Sequence, residues 1–288
     1  MNDVLLINSL VVEHQNNPLG IDVKNPRFGW KLQSKLKNVI QTAYQLQVFA
    51  GQTLAVDTGK VESDASVEVA IEGWETSPMT RYDVVVNVWD NKGRNADATS
   101  WFETGRLGVA FASSWVEPDQ IPTPSSMEGK DMSQAADGAN PYKRIERDFA
   151  EFRPSQFIRI PFKLDKPVKK ARVYATAHGI YEMEVNGVKP DDRKFAPENT
   201  TYKKVLQYQT YDVTQYLKSG KNVIGITVAD GWWAGRVGTT GDCCQYGDKV
   251  GILLDGVIEY QDGTVENISA EQGVSSIGPL IYSDLFVG

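Results

Sequence analysis

Apolar side chains recur at every second position through much of the chain, the period of a strand with one buried face. Residues 82–89 (YDVVVNVW) show it most strongly in the first hundred, with Tyr82, Val84, Val86 and Val88 on one side. Phe28, Trp30 and Leu32 alternate in the same way, as do Tyr44, Leu46 and Val48. Residues 66–71 and 100–104 read as further short strands, and Asp90-Asn91-Lys92-Gly93 as a turn. Short strands separated by polar turns predict an all-β sandwich.

The pattern resumes after residue 155. Residues 156–164 predict a strand, turned by Asp165-Lys166-Pro167. Residues 171–186 predict two strands hinged at Gly179, with Tyr181, Met183 and Val185 facing one way and Glu182 and Glu184 the other. Asn186-Gly187 predicts a type I′ hairpin. Strands are expected at 208–213 and 223–229, a hairpin at 251–260 and from 265 onward, and a last strand at 279–286. Helical periodicity is almost absent. The second domain is therefore expected to be a larger antiparallel sandwich, a jelly roll of carbohydrate-binding type. Residues 117–141 have no period and are rich in Pro, Ser, Gly and Asp, which predicts a mobile segment, with a short β segment at 142–149. The expected division is 1–108, a connector with a flexible loop at 109–150, and 151–288. The first domain resembles a fibronectin type III sandwich in its early Trp30 and in Tyr82, which opens a late strand after Ser-Pro-Met-Thr-Arg. Trp30, Tyr82 and Trp89 are expected to fill its core.

Composition narrows the function classes. The 288 residues are 41% hydrophobic with a net charge of −7. An acidic chain without a basic stripe does not suit nucleic acid, whose phosphates need clustered Lys and Arg, nor an anionic membrane surface. No apolar run is long enough for a transmembrane helix. The N-terminus lacks a cationic segment and a small-residue cleavage site, so no signal peptide is expected. The two cysteines are adjacent, Cys243-Cys244, a strained geometry for a structural disulfide. Together these predict a cytoplasmic protein.

For chemistry, the residues favour binding over hydrolysis. Glycosidic hydrolysis needs two carboxyls in distinct acid and base roles. Glu182, Glu184, Asp191, Asp192 and Asp230 are available, but the first four read as solvated or ion-paired strand and turn residues. Carbohydrate binding needs an aromatic face and hydrogen-bonding groups beside it. Trp232-Trp233-Ala234-Gly235-Arg236 offers both, with Trp233 and Arg236 as candidate sugar contacts. If the segment is extended, one Trp points inward and the other outward; both packed as structural plugs is an equally open reading. His178, at a strand junction, is expected to be a hydrogen-bonded structural residue.

The order AxxYxTAxGxYExxxNG, APxxTxY, then YQTYDVTxxLxxGxNVIGxxxxDGWWxGRVG across residues 171–238 resembles the N-terminal β-sandwich region of bacterial α-L-rhamnosidases of glycoside hydrolase family 78. The ending GPLIYSDLFVG and the fibronectin-like first domain fit the same architecture. In that family the hydrolytic carboxylates lie on a later (α/α)6 barrel of inverting enzymes, and the chain stops at Gly288 before one could begin. The resemblance thus implies a non-catalytic accessory region, partnered by a C-terminal catalytic domain of the same polypeptide that hydrolyses terminal α-L-rhamnosyl residues. Some members bind rhamnose in this sandwich with help from calcium, through an acidic residue and Asn before a T-x-Y element. Glu198-Asn199, before Thr200-Thr201-Tyr202, are the matching positions, with Glu in place of the expected Asp. The resemblance makes Glu198 and Asn199 candidate sugar and calcium ligands, with Asp242 a third oxygen donor. Calcium is not required in this reading. The alternative is a stand-alone, lectin-like rhamnose-binding module. A third, the sugar-binding domain of a β-galactosidase or β-glucuronidase relative, rests on YDVT and GKN alone.

Overall fold

A computed structural model of the protein describes residues 4–120, 154–235, 244 and 246–278. It forms two compact units, Met1–Ala110 and Phe111–Gly288. Almost every described element is a strand.

The first unit contains β1 (Leu6–Val12), β2 (Leu19–Ile21), β3 (Phe28–Gln33), β4 (Gln41–Ala50), β5 (Thr53–Asp57), β6 (Arg81–Asp90) and β7 (Asn95–Thr104). A five-stranded sheet has the order β2-β7-β6-β4-β5, and β1 pairs with β3 in a second layer. Alternation buries Tyr82, Val84, Val86 and Val88 of β6 against Phe28, Leu46 and Phe102. Trp30 is buried as expected and donates its indole N–H to Gln41 at 2.8 Å. The Tyr82 hydroxyl accepts the backbone N–H of Ser77 at 2.8 Å, tying the start of β6 to the preceding corner. Trp89 departs from expectation. Next to Val88 in a period of two, it falls on the outer face, where it is half-buried under the Lys60 ammonium, 5.2 Å from its ring. Residues 66–71 do not form a regular strand; they join β3 through the single bridge Phe28–Val69 and the bond from Trp30 N–H to Ser66 O. Strands β1, β2 and β5, which have weak alternation, were not expected.

The second unit contains β8 (Gln156–Leu164), β9 (Val168–His178), β10 (Ile180–Val185), β11 (Gln209–Asp212), β12 (Gly220–Ala229), β13 (Gly251–Tyr260), β14 (Val265–Ser269) and β15 (Val274–Ile277). Two antiparallel four-stranded sheets, β10-β12-β8-β15 and β11-β9-β13-β14, face each other. From β8 to β13 successive strands alternate between the sheets, as in a jelly roll. Ile158, Ile160, Ile224, Ile226, Ile252 and Leu254 fill the space between them. The hinge at 179 and the Asn186-Gly187 turn stand where the pattern puts them; Val185 and Val188 close the turn with reciprocal backbone bonds.

Residues 112–120, inside the expected connector, are a strap along β13. The Asp255 carboxylate accepts from the backbone N–H groups of Ala112 and Ser113 at 2.8 and 3.0 Å. Val116 bridges to Ile252, and the Gln120 side chain bonds both backbone groups of Val250. The expected segments at 121–149 and 279–286 lie outside the described residues.

Candidate functional site

The site is built around the junction of β9 and β10. Gly179 has φ +125°, and a Cβ there would lie 2.2 Å from the carbonyl oxygen of Ala229. Only glycine satisfies both conditions. The pivot leaves His178 at the end of β9, between two indoles. Trp115, carried by the strap, stacks on it at 3.7 Å, and Trp233 at 3.8 Å, both nearly parallel. Burial in this stack pushes the His178 imidazole down to about 4, so it is neutral at pH 7.

Trp233 belongs to a four-residue helix, α1 (Gly231–Ala234). The segment is not extended, so the in–out alternation expected of Trp232 and Trp233 does not apply; both are half-buried. The buried Trp233 N–H has no acceptor among the described residues. Gly247 makes room for that edge, since a Cβ there would lie 2.4 Å from Trp233 Nε1. Tyr202 and Tyr246 complete the cluster, with ring centroids 5.7 and 6.1 Å from that of Trp233.

The loop after β10 is anchored from below. The Tyr181 hydroxyl lies 3.0 Å from both Ala175 O and Gln209 Oε1 and accepts from the Tyr211 hydroxyl at 3.1 Å. Tyr181 N–H donates to Ala196 O at 2.7 Å, and Gln209 Nε2 donates to Pro197 O at 3.4 Å. Above these anchors, the Tyr202 hydroxyl donates to Glu198 O at 2.8 Å. Tyr202 therefore joins the Glu198–Asn199 turn to Trp233. The side chains of Glu198 and Asn199 are exposed. Phe195, also exposed, meets Trp232 edge-on at 5.9 Å.

The structure thus brings Glu198, Asn199 and Trp233 to one end of the sandwich. Arg236, Asp242 and Cys243 lie outside the described residues. One face of Trp233 is covered by His178, and the exposed aromatic ring there is that of Phe195. Among the described residues no three His, Cys, Asp or Glu side chains converge as a metal site. Glu198 and Asn199 alone fall short of the six to eight oxygens calcium takes. Glu182 is paired with Lys189 and with Lys194, and its hydrogen bonds to them hold its carboxyl below the usual range. It is ionised at neutral pH, which does not suit a proton donor. Tyr202 was legible only as the end of the T-x-Y element, and neither it nor Trp115 or Tyr246 could be assigned to an aromatic cluster, because each lies in a polar segment outside any alternating run.

Comparison with known proteins follows the same division. Residues 7–108 match a family model described as "Rha78A-like, N-terminal immunoglobulin domain", and residues 166–288 match "Alpha-L-rhamnosidase N-terminal domain". The chain matches the N-terminal region of α-L-rhamnosidases. It is 30% identical to an α-L-rhamnosidase of Formosa agariphila over 96% of its own length and 29% of that protein's. To one of Streptomyces avermitilis it is 26% identical, covering 99% of this chain and 42% of the relative. The solved α-L-rhamnosidase of Dictyoglumus thermophilum superposes with a TM-score of 0.79 at 29% identity, over 97% of this chain and 30% of that one. The chain therefore spans less than half the length of these α-L-rhamnosidases.

Proposed function

We propose that the chain is a non-catalytic accessory region of an α-L-rhamnosidase, docked against a catalytic part of the same polypeptide that hydrolyses terminal α-L-rhamnosyl residues. The observation that carries this is its match to the N-terminal portion of relatives that are more than twice its length. The far edge of the second sandwich supports docking. All four residues of β15 are exposed, including Val274 and Ile277, and Val265 on neighbouring β14 is exposed too. An edge strand without a charge or a proline invites cover by other polypeptide. Incubated with an aryl α-L-rhamnoside, this chain alone is expected to give no turnover above buffer. Robust release of the aryl group would overturn the accessory reading.

A second reading is favoured by the link through Tyr202. Glu198, Asn199 and Trp233 share one end of the sandwich and would form part of a rhamnose contact, for which the sequence also offers Arg236. Calorimetric titration with L-rhamnose, with and without a calcium chelator, is expected to give heat at millimolar sugar. Absence of heat in both conditions would leave the first reading alone.

A further inference from the structure

The first unit carries a groove that neither reading uses. It lies over the outer face of β1, β3 and residues 66–68 and has a volume of about 390 Å3. That volume falls in the range of about 300–1,000 Å3 typical of small-molecule sites. Its apolar lining is Val11 and Gly29, with the largely exposed Val67 at the side, over the fully packed Phe28 and Trp30. Gly29 keeps the floor low; a Cβ there would meet Val11 and Ser66 only at ordinary contact distances, 3.4 and 3.6 Å.

The rim is polar and ordered. Arg27 forks onto Glu13, with Nη2–Oε2 at 2.8 Å, and places Nη1 3.2 Å from Glu68 Oε1. His14 Nε2 lies 3.2 Å from the same Glu68 oxygen. The second Glu68 oxygen faces no hydrogen-bond donor among the described residues, and the Glu68 side chain is half exposed. Glu13, His14 and Glu68 all hold positive φ, between +47° and +62°. Glu13 and His14 take these values as the two central residues of the turn that Val12 and Gln15 close with reciprocal backbone bonds, which holds their side chains at Arg27 and Glu68. The charges of Arg27 and nearby Lys31 are balanced by those of Glu13 and Glu68, so the groove has no bias toward an anion or a cation. Here aliphatic Val11 and Val67 take the place of an aromatic face, and under a rim of paired donors and acceptors whose charges balance they suit a ring with one C–H face and hydroxyls around its edge.

We infer that this groove binds a small, neutral saccharide, with Val11, Gly29 and Val67 against the ring and Arg27 and Glu68 on its hydroxyls. The class follows from the groove itself. Only the choice of L-rhamnose as one probe rests on the proposed function. The test is amide NMR of the 288-residue chain titrated with L-rhamnose, with a panel of neutral mono- and disaccharides, and with D-glucuronate. At least one neutral sugar should shift the amides of Arg27, Gly29 and Glu68. Glu68→Gln should weaken that binding at least tenfold, with the melting temperature confirming that the variant is folded. Gly29→Leu, which plugs the floor, should abolish it. The inference is overturned by shifts confined to residues 195–202 and 232–233, by glucuronate binding the groove better than any neutral sugar, by full affinity in folded Glu68→Gln, or by no response to the panel. Those outcomes leave the accessory role standing, since the rhamnoside turnover assay reads it separately.

Discussion

His178 concentrates several constraints in one side chain. Its ring is held between Trp115 and Trp233, and the imidazole is neutral in the folded state down to about 4. In the unfolded chain it protonates near 6.5. The folded-state value is the lower one, so the unfolded state binds more protons between the two. Its contribution to stability is complete above pH 6.5 and is lost as the pH falls from about 6.5 toward 4. Allowing for partial solvent access, the loss is on the order of 1 kcal/mol. Thermal melts of His178→Phe should therefore show a smaller drop between pH 7 and pH 5 than the parent. An unchanged pH dependence would show that the stack does not exclude the imidazolium. The residue scale is also where the sequence was least legible. Tyr181, Met183 and Val185 could be assigned to the core because alternation continues through them. Trp115 and Tyr202 could not, because their partners are brought to them by the strap and by the loop before β11, and neither path leaves a periodic trace.

Among the elements, the strands were readable wherever one face is buried and the other wet. Strands β6, β8 and β10 follow their alternation closely, while β13, covered by the strap on its other face, is buried almost throughout. Strand β5 shows no such alternation, because four of its five residues are exposed, and β1 does not, because its register shifts between Ile7 and Ser9; one-sided burial is what writes a period into the sequence. The helical turn α1 escaped for a related reason: four residues are too few to display a period of 3.6. The β9–β10 pivot is the junction most sensitive to a single change. Gly179→Ala would force a left-handed residue against the Ala229 carbonyl 2.2 Å away. It should cost at least about 2 kcal/mol, read as a lower midpoint in urea. It should also disturb the fluorescence of Trp233, whose ring rests on the adjacent His178. A variant with the parent's midpoint would mean that the pivot can relax.

At the scale of the whole molecule, the two-sandwich architecture was legible because its cores are separate and each is patterned throughout. The proposed function was legible mainly through family resemblance. The polar groups on which the proposals rest, Glu198 and Asn199 in the second unit and Arg27 and Glu68 in the first, are surface residues whose neighbours come from remote parts of the chain. The alternating path of the second unit has a consequence for its birth on the ribosome. Strand β8 ends at Leu164, but its central partner β12 begins only at Gly220. At about 5–20 residues per second, β8 waits several seconds with both edges bare. In the first unit β6 and β7 pair across a four-residue turn soon after they emerge, and the short edge strand β2 is the one that waits for β7. The first sandwich can thus close early while the second stays open to chaperones or to misplaced strands until its sequence is nearly complete.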